Sequence, residues 1–561
     1  MHAAAIDRAR RLLSRPFVQD FAIVGGLLLV YRALELLVMR GYRLPADSYS
    51  QPFLLLEALV EAWPWPPRSL SDAAALLALS ALIVLAARRW RRLLCRWSDF
   101  DATGALRPFV IAVAAAAAWS FATYRYNLYF DQSHWADRLL LVALAAAALR
   151  RPAASLPLAF LAVAIAGQFQ HPLGGYYPTH VILPVRLLVL LAAALVVWTA
   201  GARIRARDYY FVAILLVSSG YLLSGLKKLQ LGWIGYGHIH HILLSTYANG
   251  WLGFLSEEQI SAIARALAPL GPLLVAGVLA LEIGILLIFS KRFVAIGLLI
   301  WGAAFHMAVF ALSGILFWLW FLIDAGLAAV LALDPGGELR TLFTRRRFAA
   351  SLALLPIAVV WFRPTPLSWF DAPLSYTYRF EGIGESGRRY SLPPSFFSPY
   401  EYEFTVGAFD AYVNAPLLTI RWGATADPRT AWALLEAETA AEALAVERSL
   451  GRMRAADATA SRIDAFLQRW ISAYNRRGHN RGPWSAIEAP LQLYTWPEPD
   501  SYVGQEKITT VEVLWVTTFF DGNRYDEIRQ QTVRSIAIPA YSKSDSARLL
   551  ERASKAAASR P

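Results

Sequence analysis

The chain has 561 residues, of which 57% are hydrophobic, with 20 tryptophans and a mean hydropathy of +0.40. That is too apolar for a soluble protein and marks a polytopic membrane protein. The formal net charge of +13 is carried in short arginine clusters between apolar runs, as topology signals are and a nucleic-acid footprint is not; the single cysteine, Cys95, excludes a disulfide framework and a cysteine metal site.

Residues 1–16 form a basic N-terminus through Arg8, Arg10, Arg11 and Arg15 and lack a small-residue cleavage site. Phe17 to Val38 therefore reads as a retained first span with its N-terminus in the cytoplasm. Arg32 and Glu35 lie three apart within it and are expected to pair on one helix face. Further apolar runs follow at about Asp72 to Ala87, Pro108 to Tyr124, Leu139 to Leu149, Leu156 to Gly167, Ile182 to Ala200 and Tyr209 to Leu226. Leu270 to Phe289, Phe293 to Leu312, Ile315 to Leu333 and Phe348 to Trp361 complete a bundle of about eleven candidate spans. The runs Leu139 to Leu149 and Leu156 to Gly167 are short for a crossing and must borrow flanking residues or sit buried in protein.

Alternating these spans from an inside N-terminus makes every inner connection basic: Arg88 to Arg96, Arg150 and Arg151, Arg203 to Arg207, Lys291 and Arg292, and Arg340 to Arg347. The outer connections hold Glu57, Glu61, Asp131, Asp137, Glu257 and Glu258, with Arg40, Arg43 and Arg68 as exceptions. Residues 17–361 thus form the multi-span domain of a cell (inner) membrane protein, and residues 362–541 a soluble extracytoplasmic α+β domain. In the latter, Tyr376 to Phe380 and Thr510 to Phe519, with an Asp521-Gly522 turn, read as strands around a helical insertion from Thr430 to Tyr474. Residues 542–561 are a polar tail.

The stretch from Tyr221 to Trp233, YLLSGLKKLQLGW, ends a spanning helix with two adjacent lysines, Lys227 and Lys228, at its outer end, against the inside bias of the other basic residues. An ionisable group near hydrocarbon is costly unless it snorkels, pairs or works, so headgroup anchoring explains these lysines poorly. His134, His171, His180, His238, His240, His241 and His306 also fall at outer ends or loops, which suggests a polar cavity open to the outer face. His306, inside a strongly apolar run, needs a buried partner or a task. Glu282 and Asp324 are further intramembrane acids, for which pairing with an arginine such as Arg186 is the cheaper explanation. The trio His238, His240 and His241 could supply metal ligands, since the first and last are three apart and can share a helix face, but without a clear carboxylate or cysteine partner nearby the interfacial polar cluster is the reading taken and no metal site is expected. Tyr124, Arg125, Tyr126, Tyr129 and Trp135 form either an interfacial belt or the walls of a planar-ligand site.

Ser224-Gly225-Leu226-Lys227-Lys228-Leu229 followed by Trp233, then Phe305-His306 and the segment Phe130-Asp131-Gln132-Ser133-His134-Trp135, resembles the vitamin K-dependent gamma-glutamyl carboxylases and the wider bacterial family named for its horizontally transferred transmembrane domain. The likeness covers roughly Phe17 to Asp334. It implies an enzyme of the membrane face in which Lys228 is the base that deprotonates reduced vitamin K or menaquinol, with His306 as a second catalytic group. Oxygen then converts the quinol into a strong base that removes a γ-proton from a glutamate side chain, and carbon dioxide adds. Lys227, His134, Arg138, Trp135, Tyr126 and Trp233 are the expected cofactor-binding residues, with Arg138 where the carboxylases carry a histidine. Membrane lipids and a protein or peptide acceptor held by the soluble domain are the implied partners; no nucleic acid is. The alternative is a non-catalytic membrane protein that binds a quinone or lipid and a partner protein for export, maturation or immunity.

Overall fold

The computed structural model describes residues 16–62, 69–101, 103–173, 179–334, 337–407, 409–496 and 498–539. Arg8, Arg10, Arg11, Arg15, Arg68 and the tail 542–561 lie outside the described residues, and only the backbone of His180 is described.

Each apolar run read from the sequence is helical. In chain order the helices are α1 (Pro16–Val38), α2 (Leu70–Leu93), α3 (Arg107–Ala122), α4 (Trp135–Ala148), α5 (Ser155–Gly167), α6 (Thr179–Thr199), α7 (Ala206–Leu231), α8 (Gly271–Gly284), α9 (Arg292–Ser313), α10 (Trp318–Leu333) and α11 (Arg345–Phe362). Among the described residues, six helical stretches are long and apolar enough to cross a membrane: Ala22–Arg43, Pro152–Gln170, Ile182–Thr199, Ala206–Leu231, Glu257–Leu287 and Arg292–Ser313. A seventh is reached if the bent α2 counts as one span. These helices suggest a membrane-embedded protein.

Burial sorts them. The apolar window of Ala206–Leu231 is 89% buried, whereas those of Glu257–Leu287 and Arg292–Ser313 are 28% buried. Helix α7 is therefore the hub of the bundle, and α8 and α9 turn most of their apolar surface outward, as lipid-facing helices do. Small residues set the closest approaches to the hub. A Cβ at Gly225 would stand 2.9 Å from Glu282 Cβ on α8, and one at Gly220 would stand 2.8 Å from the Trp320 ring on α10.

Two sets of connections separate. The basic ends bond to one another: Arg89 Nη1 to the Thr199 carbonyl at 2.7 Å, Arg347 Nη2 to Asp208 Oδ1 at 3.1 Å, and Arg292 Nε to the Leu331 carbonyl at 2.7 Å. The opposite connections bond to one another and to the C-terminal domain. Asp137 accepts from the Leu54 and Leu55 amides, Arg125 Nε meets Glu488, the Tyr126 amide meets the Asn480 carbonyl, and the Leu316 amide meets the Gln492 carbonyl. Of the basic exceptions, Arg40 is ion-paired with Asp72.

The C-terminal domain is built on an antiparallel sheet in the order β3 (Arg389–Ser391), β2 (Leu374–Gly384), β4 (Ile508–Phe520) and β5 (Tyr525–Ala537). The β4–β5 hairpin closes at the expected turn, where Asp521 Oδ1 accepts from the Asn523 and Arg524 amides and Gly522 supplies a φ of 90°. Leu374–Gly384 runs well beyond the segment read from the sequence, whereas Ile508–Phe520 nearly coincides with its own. The helical insertion is three helices, Pro428–Leu435, Ala440–Leu450 and Asp457–Arg477, because Gly451 ends the second and a short strand pairing, Pro416 with Met453, intervenes. Phe380, Phe397, Phe404, Phe466 and Trp470 interlock between sheet and helix as the domain's aromatic core.

Candidate active site

The Ser-Gly-Leu-Lys-Lys stretch works as one helical face. Gly225 removes the side chain where α7 crosses α8, and Lys228, three residues on, projects from the same face into that contact. Its Nζ meets Glu282 Oε1 at 2.5 Å and lies 5.1 Å from the Trp233 ring centroid. Both partners are almost fully buried. Lys227, about 100° back round the helix, is half-buried, and its ammonium bonds Gln230 Oε1 at 2.9 Å. One lysine of the pair is thus held inside and the other lies nearer the surface.

Glu282 forms part of the wall of a cavity of about 330 Å³ between α7, α8, α9, α10 and the C-terminal domain. Its walls are mainly apolar and aromatic, with Phe305, Phe317 and Trp320 from the bundle and Trp369, Tyr402 and Trp422 from the C-terminal segment. On the same wall the Tyr221 hydroxyl donates to Asp324 Oδ2 at 2.6 Å and lies 2.8 Å from His306 Nε2. With its one hydrogen committed to Asp324, the hydroxyl oxygen accepts, so His306 Nε2 carries a hydrogen and Nδ1 carries the lone pair. His306 Nδ1 and Glu282 Oε2 are buried with no hydrogen-bond partner among the described residues. Two unpartnered polar atoms in an aromatic cavity are the features that orient a small ligand.

The structure brings Lys228, through Glu282, and His306 to this one cavity. It does not bring His134 and Arg138 there. His134 Nε2 meets the Tyr49 carbonyl at 3.0 Å and its Nδ1 lies 3.4 Å from the Tyr124 hydroxyl, while burial, and then the neighbouring Arg138, lowers its pKa to about 4. Arg138 donates to the Tyr124 carbonyl at 2.6 Å and stacks 3.6 Å over the Tyr124 ring. The expected single pocket is therefore two clusters, because the turn before α4 folds back against Tyr49 and Tyr124. Trp135 is 64% exposed, Tyr126 bonds Asp131 at 2.9 Å with Arg477 over its ring, and Trp233 donates to the Trp369 carbonyl at 3.0 Å.

The expected pairing of the intramembrane acids with Arg186 is corrected as well. Arg186 Nε pairs with Glu35 at 3.2 Å, joining the Arg32–Glu35 pair that the sequence did predict, at 2.5 Å. Glu282 takes Lys228 and Asp324 takes Tyr221. Sequence reading missed Tyr221 as a relay residue although it opens the lysine stretch, and missed Arg421 and Trp422, which reach the cavity from a loop with no motif to announce them.

Asp371 was missed too. It lies in β1 (Phe370–Asp371), fully buried, where burial pushes its carboxyl up to about 8 against the lowering effect of Trp369 and Lys228.

No family model, no curated protein and no solved structure matches this chain.

Proposed function

We propose that this chain is a carboxylase-like membrane enzyme that holds a reduced membrane quinone, menaquinol or reduced vitamin K, in the aromatic cavity and uses Lys228 as the base. The acceptor is a protein or peptide side chain presented beneath the C-terminal domain. The observation that carries this reading is the buried Lys228–Glu282 pair on the edge of an aromatic cavity that also holds His306.

The residues fit such a ligand. The volume of about 330 Å³ lies within the range of small-ligand sites, the aromatic walls suit a planar ring, and His306 Nδ1 and Glu282 Oε2, unpartnered among the described residues, are acceptors for its hydroxyls. When bound, a quinol supplies an acidic O–H and, with oxygen, the strong base that carboxylation with carbon dioxide requires. The chain supplies proton handling. Lys228 accepts a proton only as the neutral amine, and the 2.5 Å contact lets its ammonium proton pass to Glu282 before it takes one from the ligand. Trp233 faces the ammonium and stabilises the charged state that follows. Tyr221 and Asp324 hold the His306 ring with its lone pair at Nδ1.

The same reading places the chain in the cell (inner) membrane with about eleven crossings, a cytoplasmic N-terminus and an extracytoplasmic C-terminal domain. Support comes from the separation of the basic connections from those that carry the domain. A reporter fused after Pro399 that works only in the cytoplasm would contradict it.

The experiment uses the full chain in lipid nanodiscs. Menaquinone should quench tryptophan fluorescence saturably, through Trp320, Trp369 and Trp422, and the quinol should drive oxygen consumption. Lys228→Arg should keep the quenching and abolish the consumption, since a guanidinium does not give up its proton. Absence of saturable quenching, or undiminished consumption in Lys228→Arg, overturns the proposal. Quenching with no consumption in the native protein would select the non-catalytic quinone- or lipid-binding protein instead.

A further inference from the structure

The loop after α7 gathers three imidazoles outside the cavity. One ligand nitrogen from each of His238, His240 and His241 lies within 4.8 Å of the others. A regular helix would not bring positions at this spacing together; the turn does so, with the His241 amide bonded to the His238 carbonyl at 3.1 Å. The ring centroids of His240 and His241 are 4.3 Å apart, and His238 stacks 5.6 Å from His241. The loop is pinned from behind, since a Cβ at Gly271 would stand 1.7 Å from the Gly237 carbonyl oxygen. Only glycine permits that approach.

His240 and His241 are 6% and 5% exposed, and Nδ1 of each is buried with no hydrogen-bond partner among the described residues. A buried nitrogen that nothing meets is costly to keep. Unpartnered and turned toward the neighbouring rings of the trio, these two nitrogens are positions that an ion would fill.

We propose that His238, His240 and His241 bind one divalent transition-metal ion of the zinc class. Three imidazoles select zinc and its borderline neighbours over the oxygen-seeking magnesium and calcium. Nitrogens at about 2.0–2.1 Å from one ion stand about 3.4 Å apart in a tetrahedron, so the trio closes by small ring rotations, which the half-exposed His238 is free to make. Three protein ligands leave one position open, unlike a closed structural site. The site stands apart from the quinone reading, because none of the three histidines lines the aromatic cavity.

The test is metal content. The full chain, purified in detergent, stripped with a chelator and reloaded with zinc or cobalt, should retain one ion per chain through gel filtration, and the cobalt form should show the intense visible bands of a low-coordinate site. His238→Ala should lower retained metal by about tenfold or more. His240→Gln, which keeps the side chain's bulk, should do the same should His238→Ala fail to fold. Menaquinone quenching should survive in both variants, which separates failure of this site from failure of the cavity. Retention of less than about a tenth of an ion by the native chain, or equal retention by a folded variant, overturns the proposal.

Discussion

Lys228 and Glu282 meet at 2.5 Å across the α7–α8 crossing, each buried and each the other's only opposite charge in direct contact among the described residues. Lys228→Met strands a buried carboxylate and should lower stability by about 3–5 kcal/mol. Replacing both partners, Lys228→Met with Glu282→Met, should restore most of that loss, since an apolar pair of similar volume has no charge to desolvate. Thermal unfolding of the three proteins in one detergent decides it; a double variant no more stable than the single one would show that the contact is not the interaction that matters.

Gly225 is the position that permits this contact. Gly225→Ala would set a methyl 2.9 Å from both Glu282 Cβ and Ile283 Cδ1, on a backbone and a side chain already packed. The helices must part, at about 1–3 kcal/mol. The expected outcome is a lower melting temperature together with weaker quinone quenching, whereas Gly482→Ala, at a glycine with nothing within 4 Å of its Cβ and no left-handed φ, should change neither. Unaltered unfolding and quenching in Gly225→Ala would contradict the close crossing.

Tyr221 bridges two buried groups, Asp324 and His306, whose facing atoms are themselves 3.7 Å apart. Tyr221→Phe removes one hydroxyl and leaves both Asp324 Oδ2 and His306 Nε2 without the partner they have now. The expected loss is about 1–3 kcal/mol. Gly302→Ala attacks the same relay from behind, because its Cβ would stand 2.7 Å from the Tyr221 hydroxyl and 2.9 Å from Asp324 Oδ2. The two substitutions therefore should not add: the pair should cost little more than the worse of them. Additive losses in unfolding measurements would mean the two act at separate places.

How much of this was legible can be traced residue by residue. Helix positions were, because apolar runs of this length leave a chain few other options, and the Arg32–Glu35 pair was, because three residues on a helix fix a shared face. Lys228 stands out because its burden shows in sequence: a charge at the end of an otherwise apolar helix. Its partner was not, since Glu282 sits on another helix and nothing in spacing along one chain reports a crossing. The same reason separated His134 and Arg138 from the cavity, and it is why spacing put His238 and His241 within reach of one ion while leaving open whether His240 would join them. Local periodicity reports which face a residue takes, and long-range contact decides what it meets there.

His134 gives a pH dependence with a definite sign. It is 1% exposed, stands at the start of α4 with a left-handed φ of 48°, and has its pKa lowered from 6.5 to about 4, first by burial and then by Arg138. A group whose folded value is depressed contributes stability that is fully present above its unfolded value and lost as pH falls through the folded one. The window is therefore pH 6.5 down to about 4, and the shift corresponds to about 3 kcal/mol across it. Asparagine tolerates the left-handed backbone and does not titrate there, so His134→Asn should lower stability near pH 7 yet flatten its decline below pH 6.5. Other groups titrate in the same window, so the informative quantity is the difference between the two proteins. Chemical unfolding of both at steps from pH 7.5 to 4.5 should show curves that converge as pH falls. Parallel curves would mean that His134 is not the neutral, buried group the structure places there.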